Sequence, residues 1–260
     1  MAQFDYVDQS ELYTKYGITQ VNAFFHDSTL VENDEMWKVD IKGRIVYDEL
    51  LPDDDDSSYS ATIWTFENDL LINRKHIGIW NTKTNKLDTS LTVFFYDSLN
   101  NLIREQHTHT KDQDTLIKEY ESSEGLKVKG TFYNEKQQWW YMTDSIAYYD
   151  SRTRKTESTI KYYDGYPEYK KELYFDTLGR IQAEIEFGFD NNCAVPDRVK
   201  NFIYEDGRLI RVKEVVLGTG FVKTVYFSEI LYEYNDKGLI TKRSRLNNGI
   251  VLNYDTFEYK

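Results

Sequence analysis

The chain has 260 residues, 44 acidic against 32 basic, with a net charge of −12 and a pI near 4.9; that field argues against nucleic acid or an anionic lipid surface as partner and makes a basic protein surface or a cation easier to recruit, set against a merely solvating acidic surface as the commoner case. Hydrophobic residues make up 40% and aromatics 16%, including 22 Tyr and 14 Phe, which excludes a disordered chain, while 3 Pro and 13 Gly exclude collagen-like or Pro-rich character. The length favours one β-rich domain over residues 1–260.

In chain order, Asp8-Gln9-Ser10-Glu11 has the form of a capping box, with Asp8 accepting from the first turn and Glu11 reaching back. Leu12 and Tyr16 then share a face before Gly17, so residues 1–17 are expected to be a short helical cap. From Ile18 the pattern alternates, as in Lys38-Val39-Asp40-Ile41 and Thr62-Ile63-Trp64-Thr65-Phe66, which predicts strands. Residues 18–94 form an irregular β region, with Leu51-Pro52 and Asp53 to Ser58 as a loop. Residues 95–260 repeat more clearly.

The repeat is a turn. Asp40-Ile41-Lys42-Gly43-Arg44-Ile45, Asp97-Ser98-Leu99-Asn100-Asn101-Leu102, Asp176-Thr177-Leu178-Gly179-Arg180-Ile181 and Asn235-Asp236-Lys237-Gly238-Leu239-Ile240 share one order of residue types. Asp or Asn bonds the turn backbone, Gly or Asn accepts a positive φ, and apolar residues flank both sides. Tyr204-Glu205-Asp206-Gly207-Arg208-Leu209 is the same turn one residue shorter. Gly43, Asn100, Gly179, Gly207 and Gly238 are therefore expected at the turns, and the spacing of the last three, 28 and then 31 residues, suits two hairpins per unit. The predicted fold class is all-β: an extended antiparallel meander of degenerate hairpin repeats with a short N-terminal helix.

Phe175-Asp176-Thr177-Leu178-Gly179-Arg180-Ile181 resembles the Tyr-Asp-x-x-Gly-Arg-Leu core of the YD-repeat (Rhs-like) group, and the short hairpins are also similar to MORN-like repeats. The resemblance covers Phe95 to Lys260 with gaps and implies β-sheet scaffolding rather than chemistry. The chain is too short for a closed cocoon and shows no autoproteolytic core or toxin domain, so a toxin-shell function is not carried over. Ala2-Gln3 is similar to the first residues of exported proteins of Bacteroidota after signal cleavage. A periplasmic or envelope location is expected if Met1 replaces a cleaved signal, and a cytoplasmic one otherwise. No apolar run approaches the roughly 20 residues of a membrane-spanning helix.

Candidate chemistry is sparse. Glu105, His107 and His109 fall on one face of a strand and are a metal-capable set, set against a solvated polar face as the commoner explanation. Asp53-Asp54-Asp55-Asp56 lacks the spacing of a calcium loop, and the lone Cys193 excludes an intramolecular disulfide and multi-cysteine metal sites. Neither a nucleophile motif nor a nucleotide-binding glycine loop is present. Glu184 and Glu186 alternate in the manner of a glycosidase pair, but acidic residues are abundant. Trp139-Trp140 can present one ring to a sugar or protein partner, set against burial of both in a sandwich, and Tyr254, Phe257 and Tyr259 lie on a last strand with no following element to cover it.

The expectation is a non-enzymatic protein-interaction or structural module without a cofactor, an accessory subunit of a larger envelope-associated assembly such as a secretion machine. The alternatives are an immunity or antitoxin-like inhibitor whose acidic surface covers a basic toxin, and a carbohydrate-binding protein.

Overall fold

The structure is a computed structural model, and residues 8–27, 31–50, 59–79, 87–109, 115–123, 126–134, 143–149, 155–161, 167–188, 195–217 and 225–260 are described. Helix α1 (Ser10–Tyr16) precedes β1 (Gln20–His26), β2 (Val31–Val39), β3 (Ile45–Leu50), β4 (Tyr59–Glu67), β5 (Leu70–Ile79) and β6 (Leu87–Tyr96). There follow β7 (Leu102–His109), β8 (Thr115–Ser123), β9 (Leu126–Asn134), β10 (Thr143–Tyr149), β11 (Lys155–Lys161) and β12 (Pro167–Phe175). The last six are β13 (Ile181–Phe187), β14 (Pro196–Glu205), β15 (Arg208–Leu217), β16 (Val225–Tyr234), β17 (Ile240–Asn247) and β18 (Ile250–Tyr259). The chain is thus the expected all-β antiparallel meander with one short N-terminal helix.

The repeating turns explain the repeating sequence. One side-chain oxygen of Asp40, Asp97, Asp176 or Asn235 accepts the backbone N–H groups two and four residues on, at 2.8–3.0 Å in all four copies. The residue between takes a positive φ: 74° at Gly43, 64° at Asn100, 77° at Gly179 and 84° at Gly238. In the shorter copy Asp206 and Gly207 take φ 48° and 80°, a two-residue hairpin turn. Where arginine follows the glycine, its guanidinium folds back on the same aspartate, at 2.6 Å for Arg44 with Asp40 and 2.7 Å for Arg180 with Asp176. Each also lies 4.3 Å from a ring at the next turn along, Phe66 and Tyr204 respectively.

The tyrosine of the repeat fastens neighbouring hairpins together. The hydroxyls of Tyr96, Tyr204, Tyr234 and Tyr259, each at the end of its strand or one residue short of it, donate to the carbonyls of Leu71, Ile181, Leu209 and Ile240 near the start of the preceding strand, at 2.6–2.9 Å. Burial pushes the Tyr234 hydroxyl up to about 12, in keeping with a donor committed to a carbonyl.

Strands pair in chain order from β1–β2 through β17–β18, and β18 then pairs with β1 from Val21↔Tyr259 to His26↔Tyr254. Gln20 and Lys260 complete this seam by exchanging backbone bonds at 3.1 and 2.9 Å. The meander therefore returns on itself. This corrects the expectation of an uncovered last strand: β1 supplies the backbone partners that an edge strand lacks, so β18 is paired on both sides. The accessible surface is 16497 Å², against roughly 12,000 Å² for a compact protein of this mass. The sheet is not collapsed into a dense globule.

The densest packing is where α1 covers the β18–β1–β2 seam. Val21, Trp37 and Ile240 are each 0% exposed, and Tyr13 from the helix lies 6.1 Å from the ring of Tyr259. Asp8 accepts the Ser10 N–H at 2.9 Å, but the cap residue is Gln9, which makes no side-chain capping bond, so the expected Asp8–Glu11 box is not realised. Gln9 instead turns inward. Its amide donates to the Gly238 carbonyl (3.1 Å) and its oxygen accepts the Ile240 N–H (3.4 Å), which holds the helix to the β16–β17 turn. Gly17 ends the helix at φ 64°.

Gly43 lies directly beneath α1, where an added Cβ would come 2.0 Å from the Ser10 carbonyl oxygen; at Gly179 it would meet nothing within 4 Å. Gly179→Ala is therefore expected to lose about 1 kcal/mol through its positive φ alone. Gly43→Ala is expected to lose distinctly more in the same urea titration, because the helix must also move.

Candidate functional site

Glu105, His107 and His109 share one face of β7, and the register places Thr92 opposite His107 and Ser90 opposite His109, with His76 one strand further on. The His107 Nδ1 shares a 2.9 Å hydrogen bond with the Thr92 hydroxyl, and His76 Nδ1 one of 3.2 Å with Thr62. The rings of His107 and His109 meet edge to face at 4.9 Å, and Glu105 accepts the Tyr120 hydroxyl. Burial, then the charges of His109, Arg74 and His76, depress the proton affinity of His107. Among the described residues no three His, Cys, Asp or Glu side chains are arranged to hold a metal. The set is a polar row in which Glu105 and His107 are bonded to hydroxyls and His109 lies 3.9 Å from Asp88.

Glu184 and Glu186 also share a face but sit among cations. Glu184, 3% exposed, lies 2.8 Å from Lys171 and 2.9 Å from Lys200, and Arg198 joins Glu186 (3.4 Å) to Glu214 (3.2 Å). Burial would raise the Glu184 carboxyl, but the two lysines outweigh it and hold it below the usual range. A glycosidase acid needs the opposite shift. The pair is a rung in an ion-pair ladder from β12 to β15.

The same ladder and the turns predict an acid response. Burial alone would raise the Asp40 carboxyl, yet Arg44 and the turn N–H groups win; in Asp176 the Arg180 N–H leads the lowering, and in Asp97 the Asn101 side chain does. A depressed carboxyl adds stability above its unfolded value, 3.8 for Asp and 4.5 for Glu, that is lost as pH falls through the folded value. Depressed His107 is neutral in the fold and charged in the unfolded chain below 6.5, so its share is lost earlier on acidification. The melting temperature is expected to fall gently from pH 6.5 and steeply below about 4.5, with His107→Gln flattening only the first part.

Trp139, Trp140, the Asp53 to Asp56 run and Cys193 lie outside the described residues. Of the other aromatic candidates, Phe257 is a core residue, 8% exposed and 6.3 Å from the Trp37 ring. Tyr259 is half-buried with its hydroxyl used, and Tyr254 stacks on His26 at 4.5 Å with Lys242 over its ring. Phe257 and Tyr259 share the packed face of the closing strand, whereas Tyr254 lies on its other face, partly exposed.

Consecutive exposed apolar residues occur elsewhere. Val225, Tyr226 and Phe227 open β16 and Ile250, Val251 and Leu252 open β18; all six are 48–70% exposed. They adjoin at the β17–β18 turn, where the Asn248 N–H donates to the Phe227 carbonyl at 3.1 Å. This rim lies at the end of the strands opposite α1, since β18 finishes beside Tyr13. Three consecutive apolar residues point to both faces of a strand, so no one-sided core can bury them. The signal in the sequence was the break in alternation beside each turn.

In β13–β16 both faces carry charged residues at mid-strand. Lys213 opposite Glu229 occupies one face, and Lys200 between Glu184 and Glu214 the other. Charged residues at mid-strand cost roughly 2–4 kcal/mol each at a bilayer midplane. No described helix is long and apolar enough to cross a membrane.

No family model and no curated protein matches the chain. Among solved structures it is similar to a porin-like protein from Bacteroides uniformis ATCC 8492, with 7% identity, a TM-score of 0.51, and coverage of 94% of this chain and 96% of that one. A porin-like protein from Bacteroides vulgatus ATCC 8482 matches at 9% identity and a TM-score of 0.31 over 94% and 98% of the chains. A TcdB2–TccC3–Cdc42 complex matches at 13% identity and 0.39, over 88% of this chain and 12% of that one. The first likeness places the chain in a class of fold, a large antiparallel β meander shared with a porin-like protein.

Proposed function

We propose that the chain is a non-enzymatic protein-interaction module, an accessory part of an envelope-associated assembly that does not itself span the bilayer. The observation that carries this reading is the apolar rim of Val225, Tyr226, Phe227, Ile250, Val251 and Leu252, two runs of three consecutive exposed apolar residues beside strands tied by ion pairs. A contiguous exposed apolar patch rimmed by polar residues marks a contact surface. The charged mid-strand residues on both faces speak against lipid as what covers it. Envelope association is supported only by the fold shared with a porin-like protein, so it is the first part to test.

A photoreactive amino acid placed at Val251 tests the contact inside the cell, with Lys75 as control. The expected result is one dominant protein adduct from position 251 and none from 75, in the envelope fraction. Absence of an adduct, or equal labelling from both positions, would overturn the proposal.

A further inference from the structure

The second feature is an open cleft of about 410 Å³ between α1 and the turns that follow β12, β14 and β16. Leu12, Tyr204 and Tyr234 supply its apolar and aromatic lining, and Arg180, Arg208 and Lys237 its positive charge; Asp8 also borders it. The volume is within the range of small-ligand sites.

What distinguishes this cleft is the state of its cations. At the β2–β3 turn the corresponding residues are neutralised: Arg44 by Asp40 at 2.6 Å and Asp69 at 3.0 Å, and Lys42 by Asp69. Arg180 likewise has Asp176. Arg208 follows the one-residue-shorter turn, so the position four before it holds Tyr204, not an aspartate. Its guanidinium lies over the Tyr234 ring at 5.7 Å, and Lys237 over Tyr16 at 5.2 Å. Among the described residues neither forms an ion pair with a carboxylate, although the chain carries a net charge of −12. The tyrosine hydroxyls are already committed to the Ile181 and Leu209 carbonyls, which leaves the rings as walls and the two cations as the donors.

We propose that this cleft binds an organic carboxylate, its charged end between Arg208 and Lys237 and an apolar or aromatic body against Leu12 and the tyrosine rings. The guanidinium fork suits two carboxylate oxygens. A dianion such as phosphate is less suited, because Asp8 and Asp176 stand nearby and repulsion grows with ligand charge. This inference does not depend on the protein contact at the rim.

Amide NMR titration of the full chain tests it, with benzoate, benzyl alcohol and inorganic phosphate as probes. Benzoate is expected to give saturable shifts at the Gly207 and Gly238 amides, with phosphate and benzyl alcohol at least roughly tenfold weaker. Arg208→Gln and Lys237→Gln, each checked for an otherwise unchanged spectrum, are expected to weaken benzoate by roughly tenfold, and Lys75→Gln not at all. Absence of saturation, equal binding of benzyl alcohol, tighter binding of phosphate, or benzoate binding unchanged in both cleft variants would each overturn the assignment.

Discussion

Trp37→Ala is expected to lower the free energy of unfolding by about 3–5 kcal/mol. The indole is 0% exposed, stands opposite Val21 across the β1–β2 ladder, lies 6.3 Å from the Phe257 ring, and shares a buried core with Tyr13 of the helix. These contacts join helix α1 to the three strands where the meander closes, so the cavity opens in the seam itself. Elsewhere the sheet has water on much of its surface and little to collapse into such a void. Leu178→Ala, at a turn residue 75% exposed, is expected to stay within about 0.5 kcal/mol. Equilibrium denaturation of the two variants checks the contrast, and a Trp37→Ala loss below about 1 kcal/mol would remove the seam from its central place.

Asp255→Ala is the second large effect expected, at about 3–5 kcal/mol. Asp255 is 1% exposed and holds Arg243 at 2.6 Å and Arg245 at 3.3 Å. Its removal leaves two guanidinium groups with their countercharge gone, and the penalty for such orphaned charges exceeds what the intact pairs contribute. Adding Arg243→Met to Asp255→Leu is therefore expected to recover part of the loss. If the double variant is less stable than the single one, orphaned charge is not the source.

Fold class was readable because each turn is specified locally. Asp176 and Gly179 need only their own neighbours to make the turn, and the same holds for Asn235 and Gly238. Closure was not readable, since it joins Val21 to Tyr259 and no local pattern records a pairing across the whole chain. For the same reason Phe257 looked available when it is core. The tyrosines read as a row of apolar surface, while their hydroxyl bonds to carbonyls more than twenty residues away in Tyr96, Tyr204 and Tyr234 depend on tertiary register. Alternation correctly put Glu105, His107 and His109 on one face. It could not supply the Thr92 hydroxyl that His107 bonds or the Arg74 charge beside it.

The apolar rim and its protein partner are the centre of the account, and paired purification of the wild-type chain and the Phe227→Glu/Val251→Glu variant from their native cells tests them together. Both side chains are more than half exposed, so the variant is expected to keep the wild-type melting temperature. The account predicts that one protein co-purifies with the wild-type chain in a fixed ratio, is the same one labelled from position 251, and is lost from the variant. A folded variant that retains that protein in the same ratio would contradict it.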